Sequence, residues 1–457
     1  MTIAGCGASS GGLGTAVKVP GALNLGSEAG ITDISCPEAG SCAASGYFSN
    51  RAGEGRAFVV SQRNGVWETA ARVAAPAPVT YLNAISCPTA DSCAAGGSYR
   101  DGHGTGHSEA FVMNEQDGVW GKATRVPGLA RFGNAYLLEI SCSKAGFCAG
   151  AGYYDDRFDN LHPFVLDEVN GVWGKAIEVP GLSALNADGE DLEMSSISCA
   201  APGFCAAGGY YDDGGQEAFV VDEVNRVWGK AIKVPGTVPS DLDLASAWVN
   251  SVSCVKPGVC AAGGTFLDYP APQAFVANEQ NGIWHKAIVV PGSAALNLGG
   301  IGTSGAEVYS VSCITADSCA AGGSYFDHSK HIQPFVVNER DGVWGKAVKV
   351  PGSAGLNVGG DAEVTSISCG KPGFCVAGGH YYDGSHKQHA FLVKESDWVW
   401  TKAIEVAGLA TLNVGKRQYD AGGADVTAIA CAPGGFCAAG GTYTDGSDRK
   451  QAFLTAP

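Results

Sequence analysis

The 457-residue chain has no apolar run approaching the roughly 18 residues that a helix needs to cross a bilayer, so any membrane attachment falls to a terminus. Positive charge is scarce: 29 lysines and arginines against 45 acidic residues give a net charge of -16. No basic stripe offsets that field, which would repel a phosphate backbone, and no nucleic-acid partner is expected. The sequence also contains no convincing GxSxG, HExxH, P-loop or dinucleotide fingerprint, and its many Gly-Gly pairs follow apolar runs instead of opening a helix. Charged residues of both signs make up only 16%. Glycine is abundant, at 67 residues, and short aromatic and β-branched runs recur between Gly, Pro, Asn and Asp. Such a composition builds strands and turns, not helices or disorder.

Length alone suggests three domains, but closed repeat architectures exceed the usual domain size. Eight cysteine pairs with C-x5-C spacing mark a repeat: Cys36/Cys42, Cys87/Cys93, Cys142/Cys148, Cys199/Cys205, Cys254/Cys260, Cys313/Cys319, Cys369/Cys375 and Cys431/Cys437. Successive pairs start 51 to 62 residues apart. One copy, Val364 to Gly408, reads as four strands: A over VTSISC, B from the second cysteine through AGGHYY, C over AFLVKE, and D from the tryptophan to VAG. Four strands in such a period are a propeller blade with loop insertions. The last copy stops after strand C, at Gln451 to Leu454, whereas residues 14–21 read as an orphan strand D. Joining the two in one split blade closes the ring and removes its open edges. The expected fold is all-β: a single eight-bladed β-propeller over 14–457, four antiparallel strands per blade, preceded by a flexible tether over 1–13.

The S-x-S-C-x5-C-x-A-x-G pattern, as in Ser366 to Gly379, followed by a G-x-W turn, resembles repeats common in predicted secreted proteins of actinobacteria. The resemblance covers nearly the whole chain. It implies a propeller and brings no catalytic residue with it.

Each cysteine pair faces across a tight turn at the end of the A/B hairpin, and eight recurrences of one spacing read as eight intrablade disulfides. Loops this small stabilise by about 2 kcal/mol each in the chain-entropy picture, and only where thiols oxidise, which points outside the cytoplasm. Zinc is the poorer reading, because C-x5-C without a second nearby pair or histidine offers too few ligands per blade. Cys6 is left over. Its context, Ile3-Ala4-Gly5-Cys6 followed by Gly7-Ala8-Ser9-Ser10-Gly11-Gly12, resembles a bacterial lipoprotein lipobox with a tether, although the charged and apolar parts of a signal peptide do not precede it. A stray N-terminal thiol is the other reading.

In such a ring strand A lines the central channel. The D-to-A and B-to-C connections share one face, and the A/B and C/D turns share the other. The second face is uniform, with Asn-Gly or Asp-Gly turns such as Asn170-Gly171 and Asp341-Gly342 that suit type I′ hairpins. The first varies in length and composition, as binding loops on a fixed scaffold do. The repeated tryptophans, Trp67, Trp120, Trp173, Trp228, Trp284, Trp344 and Trp400, read as interblade packing. The residue six before each first cysteine marks the channel mouth on the variable face: Gly30, Tyr81, Tyr136, Glu193, Trp248, Glu307, Glu363 and Asp425. Its aromatic and acidic groups suit a ligand with apolar faces and hydroxyls or positive charge, such as a sugar or a cationic peptide. A solvated rim is the competing reading. The B-to-C loops collect His103, His107, His162, His328, His331, His386 and His389 with a recurring aspartate: Asp101, Asp156, Asp213, Asp268, Asp327, Asp383 and Asp445. His328-x2-His331 suits a transition metal and the aspartates suit calcium. An aspartate in every loop is first an Asx-turn former, so no metal or cofactor is assigned.

Two functions fit these residues. One is a binding module for carbohydrate or peptide that uses the channel mouth and the loop residues His328, His331, His386 and His389. The other is an enzyme acting on polysaccharide, a hydrolase using two of Glu193, Glu307, Glu363 and Asp425 as acid and base, or a lyase using a loop histidine or tyrosine. A ring that only displays partner-binding loops is a third reading. A monomer is expected, with Cys6 as a membrane tether if it carries lipid. In the oxidised protein, alkylation followed by intact mass should find at most one free thiol, Cys6, and two or more adducts would break the cysteine pairing.

Overall fold

In the computed structural model, residues 14–21, 26–77, 79–100, 106–129, 133–158, 160–186, 192–237, 246–268, 271–302, 304–416 and 423–456 are described. The expected tether and Cys6, together with Asp101 and His103, lie outside them.

Each repeat folds as an antiparallel sheet in the order A-B-C-D, and there are eight such sheets. Blade 3 is representative: strand A is Ala135–Lys144, B is Phe147–Asp155 and C is Leu161–Val169. The cysteines meet across each A/B hairpin, and all eight expected disulfides are formed, with Cα atoms 4.0 or 4.1 Å apart. The C/D turns have positive φ at both central residues, as at Asn170 (54°) and Gly171 (80°), which is the type I′ geometry that Asn-Gly favours. Strand A of each blade lies against strand A of the next, and blade 8 meets blade 1 in the same way. Thr15–Lys18 pairs with the final strand Lys450–Ala456, so the split blade closes the ring as the termini suggest.

The S-x-S-C motif acquires a physical meaning at the seams. The serine before each first cysteine accepts a hydrogen bond from the cysteine N–H of the next blade: Ser35 from Cys87, Ser86 from Cys142, Ser141 from Cys199, Ser198 from Cys254, Ser253 from Cys313, Ser312 from Cys369 and Ser368 from Cys431. Two residues earlier, Ser196, Ser251, Ser310 and Ser366 accept from Val252, Val311, Ile367 and Ile429 in the same manner. Blade 8 carries Ala428 and Ala430 at these two positions, so neither bond can form across the closing seam. The tryptophans also cross seams: the indoles of Trp173, Trp228, Trp284, Trp344 and Trp400 donate to Asn114, Asp167, Asp222, Asn278 and Asn338 of the preceding blade.

Two features depart from the expected strands. Strand D is not continuous: in blade 3 it is a pair of two-residue ladders, Val172–Trp173 and Ile177–Glu178. Between them Ala176 N–H turns away to Pro127 O of blade 2, so the outer strand breaks in order to bond its neighbour. Short helical turns also open four D-to-A connections, at Leu182–Leu185, Ser293–Leu296, Ser353–Leu356 and Leu409–Thr411. Each follows a glycine in the left-handed region, with φ between 79° and 81°. Three end at a buried asparagine, Asn186, Asn297 or Asn357, and the last is followed by buried Asn413. Asn297, Asn357 and Asn413 donate to the strand C carbonyls of Pro272, Ile332 and Gln388. The variable face is therefore pinned where these loops begin.

Removing residues 14–21 strips Lys450–Ala456 of its edge partner and the Ala16 N–H bond to Ala407 O of blade 7. The deletion should cost more than about 2 kcal/mol, against roughly 0.5 kcal/mol or less for trimming an unattached tail. An unchanged melting curve and a monodisperse profile would argue against terminal closure.

Candidate functional site at the channel mouth

The mouth is shaped by a β-bulge that recurs in strand A of every blade. The register slips at the residue four before the first cysteine, at Thr32, Asn83, Leu138, Ser195, Asn250, Tyr309, Thr365 and Thr427. A bulged residue leaves the ladder and re-aims its side chain. Here most of them reach across a seam: Thr32, Asn83, Asn250, Thr365 and Thr427 donate to Leu82 O, Leu137 O, Val308 O, Val426 O and Ile31 O of the following blade. The second glycine of each Ala-Gly-Gly run serves the same geometry. At Gly264 and Gly323 an added Cβ would run into the backbone of Trp248 and Glu307.

The central cavity has a volume of about 740 Å³, and Glu193 and Trp248 line it together with Asn83, Leu138, Glu139, Asn250, Tyr47, Tyr210 and Lys450. Tyr81, Tyr136, Glu307, Glu363 and Asp425 lie outside this lining, which Glu307 reaches through Trp248 and Asn250. Glu307 accepts from Trp248 Nε1 at 2.7 Å and from Asn250 Nδ2 at 2.7 Å. Tyr309 donates to Glu363 at 3.3 Å and lies 3.2 Å from the Ser324 hydroxyl. Asp425 pairs with His380 at 3.6 Å. Blades 5 to 8 thus present a linked arc of acids held by neutral donors and one histidine. Blades 1 to 4 present the opposite arc, where Tyr136 and Tyr153 sit 5.1 Å apart at a tilt and Tyr81 is 45% exposed against Gly55. Gly30 is small because the Tyr47 ring fills its place.

Burial raises Glu307, although the bonds from Trp248, Asn250 and Tyr309 oppose the rise. It also raises Glu363 and Asp361. Further along the wall Asp33 is pushed up to about 6 by burial, and Glu139 rises well above the carboxylate range through burial and the field of Asp33. For His380 burial disfavours the charged ring, but Asp425, Glu363 and Asp361 outweigh it and raise its pKa. Glu307, Glu363 and Asp425 are half-buried and partnered, while Glu193 is exposed.

Among the described residues, no loop histidine lines the cavity. His328 and His331 are exposed. His162 and His389 sit at the start of strand C, not in the loops, because their strands begin at Leu161 and Gln388. His389 stacks on Tyr381 and bridges Asp383 at 3.1 Å and Glu405 at 3.2 Å, which fixes strand C to strand D. His386 occupies a turn position with φ of 58°. Loop aspartates act as Asx-turn formers in blades 6, 7 and 8, Asp327 Oδ1 accepting from Ser329 and His331 N–H, Asp383 from Ser385 and Lys387, and Asp445 from Ser447 and Arg449, whereas in blade 4 the acceptor is Asp212 and not Asp213. Asn250, Tyr309 and His380 went unnoticed in the sequence. The variable residue type at the bulged position was the signal that marked the first two.

No family model matches the chain, and no curated protein matches it. Several solved structures are similar. Sqt1 from Chaetomium thermophilum is 10% identical, with a TM-score of 0.52 over 96% of this chain and 97% of that one. The structure of the same protein bound to the N-terminus of ribosomal protein L10 gives 11% and 0.51, over 96% and 100%. The BP39L lectin from Burkholderia pseudomallei is 13% identical, with a TM-score of 0.46 over 84% and 99%. The likeness is one of fold alone.

His380 should titrate above 6.5, as followed by imidazole NMR shifts, and Asp425→Asn should lower that value. Because the folded pKa is raised, the pair contributes stability that is complete below about 6.5 and is lost as pH rises through the folded value. A His380 pKa below 6.5, or one that Asp425→Asn leaves in place, would contradict the pairing.

Proposed function

We propose that the protein is an extracytoplasmic binding module that takes a carbohydrate or peptide at the mouth of its central channel. The observation that carries this reading is a cavity of about 740 Å³ at the mouth whose wall sets the aromatic rings of Tyr47, Tyr210 and Trp248 beside the carboxylates of Glu139 and Glu193, with Glu307 bonded to Trp248 at its edge. Aromatic faces take up the apolar faces of a sugar ring or side chain, while carboxylates accept from hydroxyl or ammonium groups. Trp248 and Glu307 bring both kinds of group into one contact. The acids are aimed by neutral donors, which prepares them to accept from a ligand at little reorganisation cost. The eight disulfides suit an oxidising compartment. Within it the protein is secreted, or tethered to a membrane through Cys6.

A second reading, polysaccharide hydrolysis or elimination, draws on one observation. Burial raises both Glu307 and Glu363, as a general acid requires. Exchange of both residues for Gln should keep the fold within about 1 kcal/mol, since an amide oxygen still accepts from Trp248 and Tyr309. On glycan and peptide arrays the double variant and Trp248→Ala should lose affinity for whatever the wild type binds. A binding module releases no product at any protein concentration, whereas an enzyme using this pair loses turnover by orders of magnitude with a smaller change in affinity. If the variants bind and react like the wild type, the site lies elsewhere.

A further inference from the structure

The strand C residue that pairs with the tryptophan of strand D is a glutamate in six consecutive blades: Glu115, Glu168, Glu223, Glu279, Glu339 and Glu395. Each is between 1% and 3% exposed, which is an expensive place for a carboxylate unless a donor meets it. For Glu168, Glu339 and Glu395 that donor comes from the preceding blade. Asn114, Asn278 and Asn338 each serve two groups, accepting from the next blade's tryptophan through Oδ1 and donating through Nδ2 to Glu168, Glu339 and Glu395.

At the seams between blades 3 and 4 and between blades 4 and 5 the equivalent residues are Asp167 and Asp222. They accept from Trp228 and Trp284 just as the asparagines do. An ionised carboxylate has no hydrogen to give, so Glu223 and Glu279 each face a second acid where three other seams supply an amide. Two cations lie near these pairs. Arg226 shares a seam cavity with Asp167, Glu168 and Glu223, and Lys256 shares one of about 250 Å³ with Asp222, Glu223 and Glu279, but no salt bridge joins either cation to these acids.

We propose that Asp167 with Glu223, and Asp222 with Glu279, each hold one shared proton as an O–H···O bond across the seam. The two seams are then tightest in acid. When the proton leaves to water, each loses a hydrogen bond and keeps two buried negative charges side by side. Burial, with the field of the facing aspartate and against that of Arg226 at Glu223, pushes Glu223 and Glu279 up to about 7, and burial takes Glu395, whose partner is Asn338, to the same value. A folded pKa above the unfolded one means stability that is complete below about 4.5 and is lost as pH rises through the folded value.

The protein supplies its own control, because asparagine already occupies the same position at three seams and bonds the tryptophan there. Thermal unfolding of the oxidised full chain should show a lower Tm at pH 8 than at pH 5. Asp167→Asn with Asp222→Asn should narrow that difference by at least about 3 °C and raise the Tm at pH 8, while Asn278→Asp should widen it. An unchanged difference in the double variant would overturn the proposal. So would a wild-type Tm at pH 8 that falls on adding EDTA, because a divalent cation would then be bridging the acids in place of the proton.

Discussion

The ring is held at its axis by side chains of one blade that bond the backbone of the next. A blade cannot bury its own two faces, and sheets packed face to face could slide on one another if only apolar contacts joined them. The serines, the bulged Thr and Asn residues and the tryptophan partners fix the stagger between neighbours at the channel wall and again at the outer edge. Each such bond contributes only about 1 kcal/mol net, but their common geometry sets one repeated blade angle. The mouth of the channel inherits its shape from this lattice.

The same devices that close the ring also build the candidate site. The bulge that frees a strand A residue to cap the next blade's carbonyl places that residue beside the channel. Where it is Thr, the side chain is consumed by the seam. Where it is Asn250 or Tyr309, there is reach to spare for Glu307 or Glu363. Bonding the seam alone and reaching a channel-wall carboxylate thus differ by one residue type at one register position, on a wall that eight disulfides and the seam bonds keep rigid. Variation of sequence at a fixed position is how such a scaffold acquires selectivity without changing fold.

Much of this architecture was legible in the sequence because it is periodic. The cysteine spacing gave the hairpins, Asn-Gly and Asp-Gly gave the turns, and the offset termini gave the closure. What escaped reading depends on contacts between repeats. The S-x-S element was visible as text, but its purpose is to meet an amide about 50 to 60 residues away. The broken strand D follows from Ala176 bonding blade 2, which a strand pattern within one repeat does not show. The helical turns were written as Gly-x-x-x-Leu-Asn in blades 3, 5, 6 and 7, a short motif hidden inside loops of otherwise variable composition. At the mouth, the residue six before the cysteine lies on the channel wall, but its partners lie two positions along the strand or, like His380, on strand B.

The central physical claim is that hydroxyl acceptors on one blade hold the amides of the next. Native-state hydrogen exchange of the first cysteine of each pair tests it most directly. Cys87, Cys142, Cys199, Cys254, Cys313, Cys369 and Cys431, each bonded to a serine of the preceding blade, should exchange slowly. Cys36, which faces Ala430, should exchange at least about tenfold faster, the effect of one lost bond of roughly 1.4 kcal/mol. Equal protection at all eight positions would contradict the account.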